Sequence, residues 1–384
     1  MSRHVLAKLT TAIVMLAVLI IGGQELYAHR HYEEPVVLGP GVTRVERLSD
    51  YFEPLRGTMN DSVVYVLEGE EEGGKAFIFG GSHPGEVAGT LAAIVLVENA
   101  VVRQGTLYIV PHMNRSGSTG TQPSGGYPLY YHIDTAFGSR KFRMGDRVTH
   151  PLDQWPDPDV YIHYPSGQSL SYVEIRNSNR CWPGRPNGTL TEQTNYAAME
   201  LIRKHDVNIA VDFHEAELMY PVTNCIVAPS KSASIATMAA INLSIDFDIH
   251  TEPSPPGYRG LSHREIGDHS DAYPFLIEVP EPFLDQPTGP KTESLLLEGK
   301  DEILMRAGDK DLLFVEFDES GKPIELRVGR HLSTTMSLLE EWNNFSPDLQ
   351  ISIEAPDYYD LMDNGVGAFL RDPDTADPSM VVFD

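Results

Sequence analysis

Cysteine and basic residues are both scarce in this chain of 384 residues. Its two cysteines, Cys181 and Cys225, exclude a framework of several disulfide bonds, although one bridge would suit an exported protein. Neither cysteine lies in a CxxC pair, so a zinc site built on thiolates has no support. Lysine and arginine number 29 against 55 acidic residues, a formal net charge of −26. A surface of this sign repels phosphate backbones, and we expect no nucleic-acid partner.

Internal repeats and long low-complexity linkers are also absent, and the strongly apolar run near the N-terminus is short. This run, 12–21 (AIVMLAVLII), holds ten residues, whereas a membrane span needs about 20. It follows a basic segment, 3–8, and precedes an imperfect signal-peptidase site at 26–28 (LYA). The pattern is typical of an export signal. It predicts an exported protein whose residues 1–28 are a signal peptide or an N-terminal membrane anchor, and it leaves the choice between them open.

Beyond this leader, patterns of strand length and helix length alternate from about residue 62. The predicted strands are 62–67, 75–79, 105–110, 207–213 and 274–279, and the predicted helices are 86–99, 191–204, 232–243, 294–306 and 333–342. The alternation predicts an α/β domain over 29–371 with a mixed, mostly parallel sheet flanked by helices. Two runs at 312–317 and 323–328 predict a hairpin, and the Pro- and Asp-rich tail, 372–384, is expected to be loose.

One long segment, 114–170, has little periodicity and is rich in glycine, proline, tyrosine, aspartate and serine. A loop of this length inside a compact domain is usually functional or contains elements that the pattern does not reveal. We assign it no role from sequence.

Histidines and carboxylates follow several of the predicted strands. His83 and Glu86 lie in the turn after the second predicted strand, His214 closes the fourth, and Glu278 lies near the end of the fifth. In open α/β sheets, ligands bind beyond the carboxyl ends of strands. Two imidazoles and one carboxylate leave one position of a tetrahedral zinc ion open, as catalytic zinc requires. We therefore predict one Zn²⁺ per chain, bound by His83, Glu86 and His214, in a metallohydrolase that cleaves amide bonds.

Glu278 stands in an otherwise apolar run, where burying a carboxylate is costly unless a partner or a cation lies nearby. Zinc would supply that cation, and Glu278 is then the candidate general base. The alternative is a carboxylate that pairs with an arginine at the edge of the sheet.

Arginines in the segment 176–180 (RNSNR) suit the recognition of a substrate carboxylate. We predict that Asn179 and Arg180 bind this carboxylate and that Arg176 stabilises the oxyanion. The alternative for the segment is a basic turn on the surface.

Five short motifs together resemble the zinc carboxypeptidase superfamily, and most closely its succinylglutamate desuccinylase and aspartoacylase branch. They are GGSHPGE at 80–86, PHMNRSG at 111–117, NSNRCWPG at 177–184, DFHEA at 212–216 and FLIEVP at 275–280. The resemblance spans roughly residues 62–280 and implies an α/β/α sandwich. The resemblance also implies a role for six residues. The zinc ligands are His83, Glu86 and His214, the carboxylate-binding pair is Asn179 and Arg180, and the general base is Glu278.

Further details of the resemblance concern the substrate residues. Tyr258 lies 20 residues before Glu278 (278 − 258), close to where carboxypeptidases place a mobile substrate-binding tyrosine. The chain departs from the family in the residues before the Asn-Arg pair, which are Asn177-Ser178 where the family usually has Asp-Leu. The family's oxyanion arginine also usually lies further upstream of the pair than Arg176.

The resemblance implies a zinc-dependent amide hydrolase that removes an acyl group from a carboxylate-bearing substrate, with Glu278 as the base for a zinc-activated water. An exported metallocarboxypeptidase that cleaves the C-terminal residue of peptides is the first alternative; the export signal favours it, whereas the motifs favour the deacylase. A non-catalytic exported binding protein with a degenerate zinc site is the second, and the intact set of site residues argues against it. The expected partner is a small molecule or peptide with a free carboxylate. The sequence indicates no oligomeric state and leaves a membrane tether through the N-terminal segment open.

Overall fold

The computed structural model describes residues 2–120 and 127–384, and a nine-stranded sheet forms its centre. Numbered along the chain, the strands are β1 Pro35–Val37, β2 Val42–Arg47, β3 Val63–Glu68, β4 Glu71–Phe79, β5 Val101–Val110, β6 Tyr130–Thr135, β7 Gly138–Arg143, β8 Tyr161–Ile162, β9 Ser169–Leu170, β10 Ile209–Glu217, β11 Cys225–Ala228, β12 His250–Pro253, β13 Tyr273–Glu281, β14 Ser352–Glu354 and β15 Val381–Phe383. The helices are α1 Arg3–Arg30, α2 Val87–Asn99, α3 Arg115–Ser118, α4 Leu190–Lys204, α5 Ala233–Leu243, α6 Ser262–His269, α7 Glu293–Glu298, α8 Glu302–Gly308, α9 Ile324–Phe345 and α10 Tyr358–Asn364.

The main sheet is mixed, with parallel strands at its centre. Its strand order is β12-β11-β13-β10-β4-β5-β3-β2, and β14 pairs with the start of β5. The central neighbours β13, β10, β4 and β5 are all parallel, while antiparallel pairs lie towards both edges. The predicted α/β class with a mixed, flanked sheet is confirmed. Because β4, β10 and β13 run in the same direction, their carboxyl ends meet at one edge of the sheet.

Helices cover both faces of this sheet because its central strands are apolar on both sides. In β4, Ala76 and Ile78 belong to the core that α2, α5 and α9 cover. The alternate residues, Phe77 and Phe79, belong to a second core that includes α4 and α6. This alternation along a strand produces the two cores of an α/β/α sandwich.

Helix α2 is buried on nearly every side, which explains why its sequence is apolar all round rather than amphipathic. It approaches β10 closely at Gly89, where a β-carbon would lie 2.8 Å from the carbonyl oxygen of Phe213. Only glycine permits this approach without a shift. The start of α2 is thereby held beside the strand that carries His214.

Three predictions about the C-terminal part are wrong. The predicted hairpin does not form, because residues 323–328 begin α9, where Ile324, Val328 and Leu332 recur at the helical spacing of four. The predicted helix 294–306 is two helices, separated at Gly299, which adopts a left-handed backbone conformation with φ +66°. The tail is not loose, because β15 pairs with β1 and Asp384 is buried.

The long segment 114–170 contains two β-hairpins, β6–β7 and β8–β9, within its described part, which excludes 121–126. Both cysteines, Cys181 and Cys225, are buried free thiols.

Most of the predicted leader belongs to one helix, α1, although Met1 lies outside the described residues. The helix has 28 residues, and its most apolar window has a mean hydropathy of 2.4 with no residue buried. It is longer than the apolar run alone indicates, since helical structure continues on both sides of that run. By length and composition, α1 could cross a membrane, and a signal sequence would have the same properties.

Candidate active site

The three predicted metal ligands meet near the carboxyl ends of the central parallel strands. His83 lies in the turn between β4 and α2, Glu86 is the N-cap of α2, and His214 lies within β10 rather than at its end. All three are buried, and one donor atom from each lies within 4.8 Å of the other two. Glu86 stands between the imidazoles, with Oε1 2.6 Å from His83 Nδ1 and Oε2 2.8 Å from His214 Nδ1.

The outer nitrogens of both imidazoles have acceptors, which leaves the Nδ1 atoms directed at the shared centre. His83 Nε2 lies 2.9 Å from Asn177 Oδ1, and His214 Nε2 lies 3.0 Å from Asp212 Oδ2. Asn177 is oriented by its own amide nitrogen, which donates to Glu174. An acceptor at Nε2 selects the tautomer that carries its proton there, so each Nδ1 has a free lone pair for a metal.

Asp212, the acceptor for His214, is itself fixed by two hydroxyl groups. Ser82 Oγ donates to its Oδ1 at 3.0 Å, and Ser262 Oγ donates to its Oδ2 at 2.5 Å. Ser82 precedes His83 and Ser262 begins α6, so two further elements determine the direction of the His214 ring. Supporting contacts of this kind orient the ligands of protein metal sites.

The donor set fits zinc. Zinc accepts imidazole nitrogen and carboxylate oxygen, and three protein ligands leave a fourth position open. Burial lowers the pKa of His83, whereas Asp212 and Glu86 outweigh burial and raise the pKa of His214 well above its ordinary value. Burial would raise the pKa of Glu86, but the two histidines lower it. A metal cation at this point would take the place of the proton on His214.

Glu278 lies on the neighbouring strand β13, directly opposite His214 in the register of the sheet. It lines the same cleft, and its Oε2 is buried without a hydrogen-bond partner among the described residues. Burial raises the pKa of Glu278 well above its ordinary value; His214 opposes this shift, and Glu86 and Glu217 add to it. Among the described residues, Glu278 Oε2 has no arginine partner, so the alternative of a carboxylate paired with an arginine is not supported.

Asn179, Arg180 and Tyr258 also line this cleft. The Arg180 guanidinium carbon lies 5.9 Å from the ring centre of Tyr258, and its Nη1 donates to the Asn179 carbonyl at 2.7 Å. Asn179 Oδ1 accepts from the backbone nitrogen of Ser262. The tertiary structure therefore places a guanidinium, an amide and a phenol around one cavity.

The loop that carries Tyr258 is held against Arg180 at Gly260. This glycine has φ +82°, and a β-carbon there would lie 2.1 Å from the Arg180 carbonyl oxygen. Its own carbonyl accepts from the Trp182 backbone nitrogen at 3.2 Å. The close approach requires glycine, and it sets the position of the Tyr258 loop over the Asn179–Arg180 segment.

Arg176, the predicted oxyanion residue, does not line the cleft. Its Nε donates to the carboxylate of Asp157 at 3.0 and 3.1 Å, and its Nη1 donates to the Thr149 carbonyl. Arg147 lines the cleft beside His83 and Glu86 instead. It lies after β7 in the long irregular segment, upstream of the Asn-Arg pair. The one sequence signal for an arginine upstream of Arg176 was the usual distance between the oxyanion arginine and the Asn-Arg pair in the family that the motifs resemble. This distance did not identify Arg147.

The cavity around these residues has a volume of about 660 Å³, and a smaller recess of about 190 Å³ continues past His83, Glu86 and Arg147. The wall of the larger cavity is partly apolar, with Val222, Val227 and Leu276.

His263 of α6 also lines the larger cavity. Its side chain is buried, and neither ring nitrogen is hydrogen-bonded within the described residues. Burial and the nearby His214 and Arg180 lower the pKa of His263 to about 3, so the ring is neutral. Sequence reasoning missed this residue because nothing in its local pattern distinguishes it.

No protein-family model and no curated protein matches this sequence. Among solved structures, the chain is similar to the product-bound ectoine utilization protein EutE (DoeB) from Ruegeria pomeroyi, with 17% identity over 56% of this chain and 52% of that chain and a TM-score of 0.35. A succinylglutamate desuccinylase/aspartoacylase from Rhodobacter sphaeroides matches with 15% identity over 56% and 51%, TM-score 0.34. A metallo-carboxypeptidase from Burkholderia cenocepacia matches with 14% identity over 80% and 66%, TM-score 0.45. The chain thus spans about half the length of the first of these structures.

Proposed function

We propose that this chain is a zinc-dependent amide hydrolase that removes an acyl group from a carboxylate-bearing substrate. The observation that carries the proposal is that two imidazole Nδ1 atoms and the Glu86 carboxylate converge beside Glu278, in a cleft that Arg180 also lines. The Oε2 atom of Glu278 has no hydrogen-bond partner among the described residues. A metal-binding site, a base and a cation for the substrate are the parts that such a hydrolase needs.

His83, Glu86 and His214 would hold the zinc ion, which when bound supplies Lewis-acid polarisation of the amide carbonyl and lowers the pKa of water. Glu278 accepts the proton of the attacking water and delivers it to the leaving nitrogen. Its Oε2 atom, which has no hydrogen-bond partner within residues 2–120 and 127–384, suits this role, because a carboxylate already bonded to an arginine would be a weaker base.

Arg180 and Asn179 bind the free carboxylate of the substrate, which fixes the scissile bond between the metal ligands and Glu278. Arg147 takes the role first predicted for Arg176, donating to the oxygen that becomes negative as the carbonyl is attacked. Its position beside His83 and Glu86 supports this assignment.

The neutral His263 meets the part of the substrate beyond the carboxylate. One neutral imidazole offers one donor and one acceptor, and neither ring nitrogen has a hydrogen-bond partner in the described part of the chain. The wall is also partly apolar at Val222, Val227 and Leu276, so we expect a leaving group whose side chain has an apolar part and one hydrogen-bonding group.

The test begins with zinc content and release of free amino acid from a set of N-acyl amino acids. Glu278→Gln preserves the shape of the side chain and removes its basicity, so it should keep zinc and lose about 10²–10⁴ in turnover. Glu217→Gln, a change of another cleft-lining glutamate, is the matched control and should retain most of the activity. His214→Ala should lose both zinc and activity. Native turnover in Glu278→Gln, or full zinc in His214→Ala, would remove the proposal.

The second candidate is a metallocarboxypeptidase, and the recess beyond His83 and Glu86 favours it, since a peptide could continue there past the scissile bond. Parallel assays with N-acyl amino acids and with peptides of two to five residues separate the two. Rates that rise with peptide length favour the carboxypeptidase. Tight binding of both classes without turnover would indicate the binding protein.

A further inference from the structure

The C-terminal end of α1 is built into the folded domain, with no linker between them. His29 is 1% exposed, and its Nε2 donates to the Leu129 carbonyl at 3.1 Å. Arg30, the last helical residue, donates to Asp153 at 2.7 Å and to Thr119 Oγ1 at 3.2 Å. The position of the domain relative to the end of α1 is therefore set by buried contacts.

Two large apolar side chains project into solvent beside this junction. Leu152 is 74% exposed and Trp155 is 73% exposed, and they flank Asp153, the partner of Arg30. We name this pair the exit patch. The chain's other tryptophans, Trp182 and Trp342, are buried. Tryptophan is enriched at membrane–water interfaces, where its apolar ring and its N–H are both satisfied.

The dimensions of α1 place the exit patch at the depth of lipid headgroups. Its uncharged stretch runs from residue 9 to residue 24, between Lys8 and Glu25. Arg30 lies five residues beyond Glu25, which is roughly 8 Å along a helix. The interfacial layer on each side of a bilayer is about 5–8 Å thick. If the uncharged stretch lies in the hydrocarbon core, residues in contact with Arg30 lie at the outer part of this layer, and long side chains beside them reach into it.

We propose that α1 is retained as a membrane anchor and that the exit patch rests in the interfacial layer of the same bilayer. The partner of this surface is the lipid bilayer itself. The reasons are that Asp153, beside the patch, binds Arg30 of α1 and that His29 and Arg30 tie the end of α1 to the domain. The basic residues before α1's apolar stretch orient its start towards the cytoplasm, so the domain lies on the other side. Cleavage after Ala28 would create a charged amino group on the buried His29, which is costly.

Because α1 contains no tryptophan, fluorescence isolates the contribution of Trp155. The full chain is reconstituted into phosphatidylcholine vesicles, with and without lipids brominated on the acyl chain near the headgroup. We expect the bromine to quench the tryptophan emission of the native protein. Trp155→Phe should lose most of this quenching, while the matched variant Trp342→Phe, which removes a buried tryptophan, should keep it.

Two results would overturn the inference. If native emission is not quenched, or is quenched equally in Trp155→Phe, the exit patch does not touch lipid. If the membrane-extracted protein has the intact mass of a chain beginning at His29, α1 is a cleaved signal and not an anchor. Neither result depends on hydrolase activity, so this inference and the proposed function can fail separately.

Discussion

At the scale of single residues, the site depends on contacts around the ligands as much as on the ligands themselves. Asn177 occupies the position where the family that the sequence motifs resemble usually has aspartate. Its Oδ1 still accepts a hydrogen bond from His83 Nε2. An amide oxygen is a weaker acceptor than a carboxylate. The residue therefore preserves the tautomer of His83 without adding negative charge to an already acidic cleft.

Asn177→Leu should weaken zinc binding by about 10–100-fold, because leucine has similar size and no acceptor for the His83 N–H. The measurement is competition for zinc with a chromophoric chelator. Asn177→Asp keeps the acceptor and serves as the control that should bind zinc at least as tightly as the native chain. Native affinity in the leucine variant would show that the contact has no influence on the metal.

Arg180→Lys and Arg180→Ala should both lower kcat/KM for substrates with a free carboxylate. Even lysine, which keeps the charge, loses the two parallel donors. A charge-assisted hydrogen bond contributes about 1.5–3 kcal/mol, which corresponds to roughly 10–150-fold in kcat/KM. The quantity to measure is the ratio of kcat/KM between the acid and amide forms of one substrate.

Arg147→Lys provides the contrast to Arg180, because an oxyanion contact acts on both substrate forms alike. It should lower kcat/KM for the acid and the amide in equal proportion. A selective loss of the acid form in Arg147→Lys, with none in the Arg180 variants, would reverse the two assignments.

At the scale of elements, the distance between α2 and β10 controls whether Glu86 reaches His214. Gly89→Ala gains about 1 kcal/mol in helix propensity but adds a β-carbon where Phe213 leaves no room, and overpacking costs about 1–3 kcal/mol. We expect a net loss of stability of up to about 2 kcal/mol together with weaker zinc binding, because α2 carries Glu86 at its start.

Chemical denaturation and zinc titration of Gly89→Ala check this expectation. Gly257→Ala is the control, since a β-carbon at Gly257 would meet nothing within 4 Å. A stabilised Gly89→Ala variant with native zinc affinity would mean that α2 can move away from β10 without disturbing the site.

At the scale of the whole molecule, a buried charge network joins the two ends of the domain. His112 follows β5. Its Nε2 lies 3.1 Å from Glu34 Oε2, and its Nδ1 lies 3.3 Å from Asp384 Oδ2. Burial would lower the pKa of His112, but Glu34 and Asp384 raise it from 6.5 to about 9. Burial would raise the pKa of Glu34, but His112 and Arg143 lower it from 4.5 to about 2.

These two shifts predict the pH dependence of stability. A raised histidine pKa contributes stability that is complete below about 6.5 and is lost as the pH rises through about 9. A lowered glutamate pKa contributes stability that is complete above about 4.5 and is lost as the pH falls through about 2. The network should therefore stabilise the fold most between pH 4.5 and 6.5.

Denaturant unfolding at pH 6 and pH 9.5 measures the histidine part. Between these two pH values, the free energy of unfolding of the native chain should fall by about 3 kcal/mol through His112. The same measurement on His112→Gln should show a much smaller change. His132→Gln, at an exposed histidine paired with Glu293, is the control that should leave the difference intact. Equal pH dependence in His112→Gln and the native chain would contradict the assignment.

Local order could be read from the sequence because its determinants are local. The run of small and apolar residues in α2 and the apolar run of β13 predicted these elements, and α4 begins at a Thr189 cap, close to the predicted start at residue 191. His83, Glu86, His214 and Glu278 could be named because each follows or interrupts a strand in a short motif. The failures at 312–328 and at the C-terminus arose where a segment's state depends on what it packs against: α9 needs the sheet, and β15 needs β1.

By itself, the sequence determined the α/β class, the set of candidate ligands and base, the acidic surface and the apolar leader, since composition, periodicity and spacing carry these properties. Only the tertiary structure decided which nitrogen of His83 and of His214 faces the metal-binding centre and that Arg147 rather than Arg176 reaches the cleft. It also showed that His263 lines the cleft with no hydrogen-bond partner among the residues that the structure describes. It also decided that the end of α1 contacts Thr119, Leu129 and Asp153, which lie 89 to 123 positions away in the chain. These are relations between side chains distant in the chain, and no local pattern encodes them, because they follow from how the sheet and its long loops bring separate segments together.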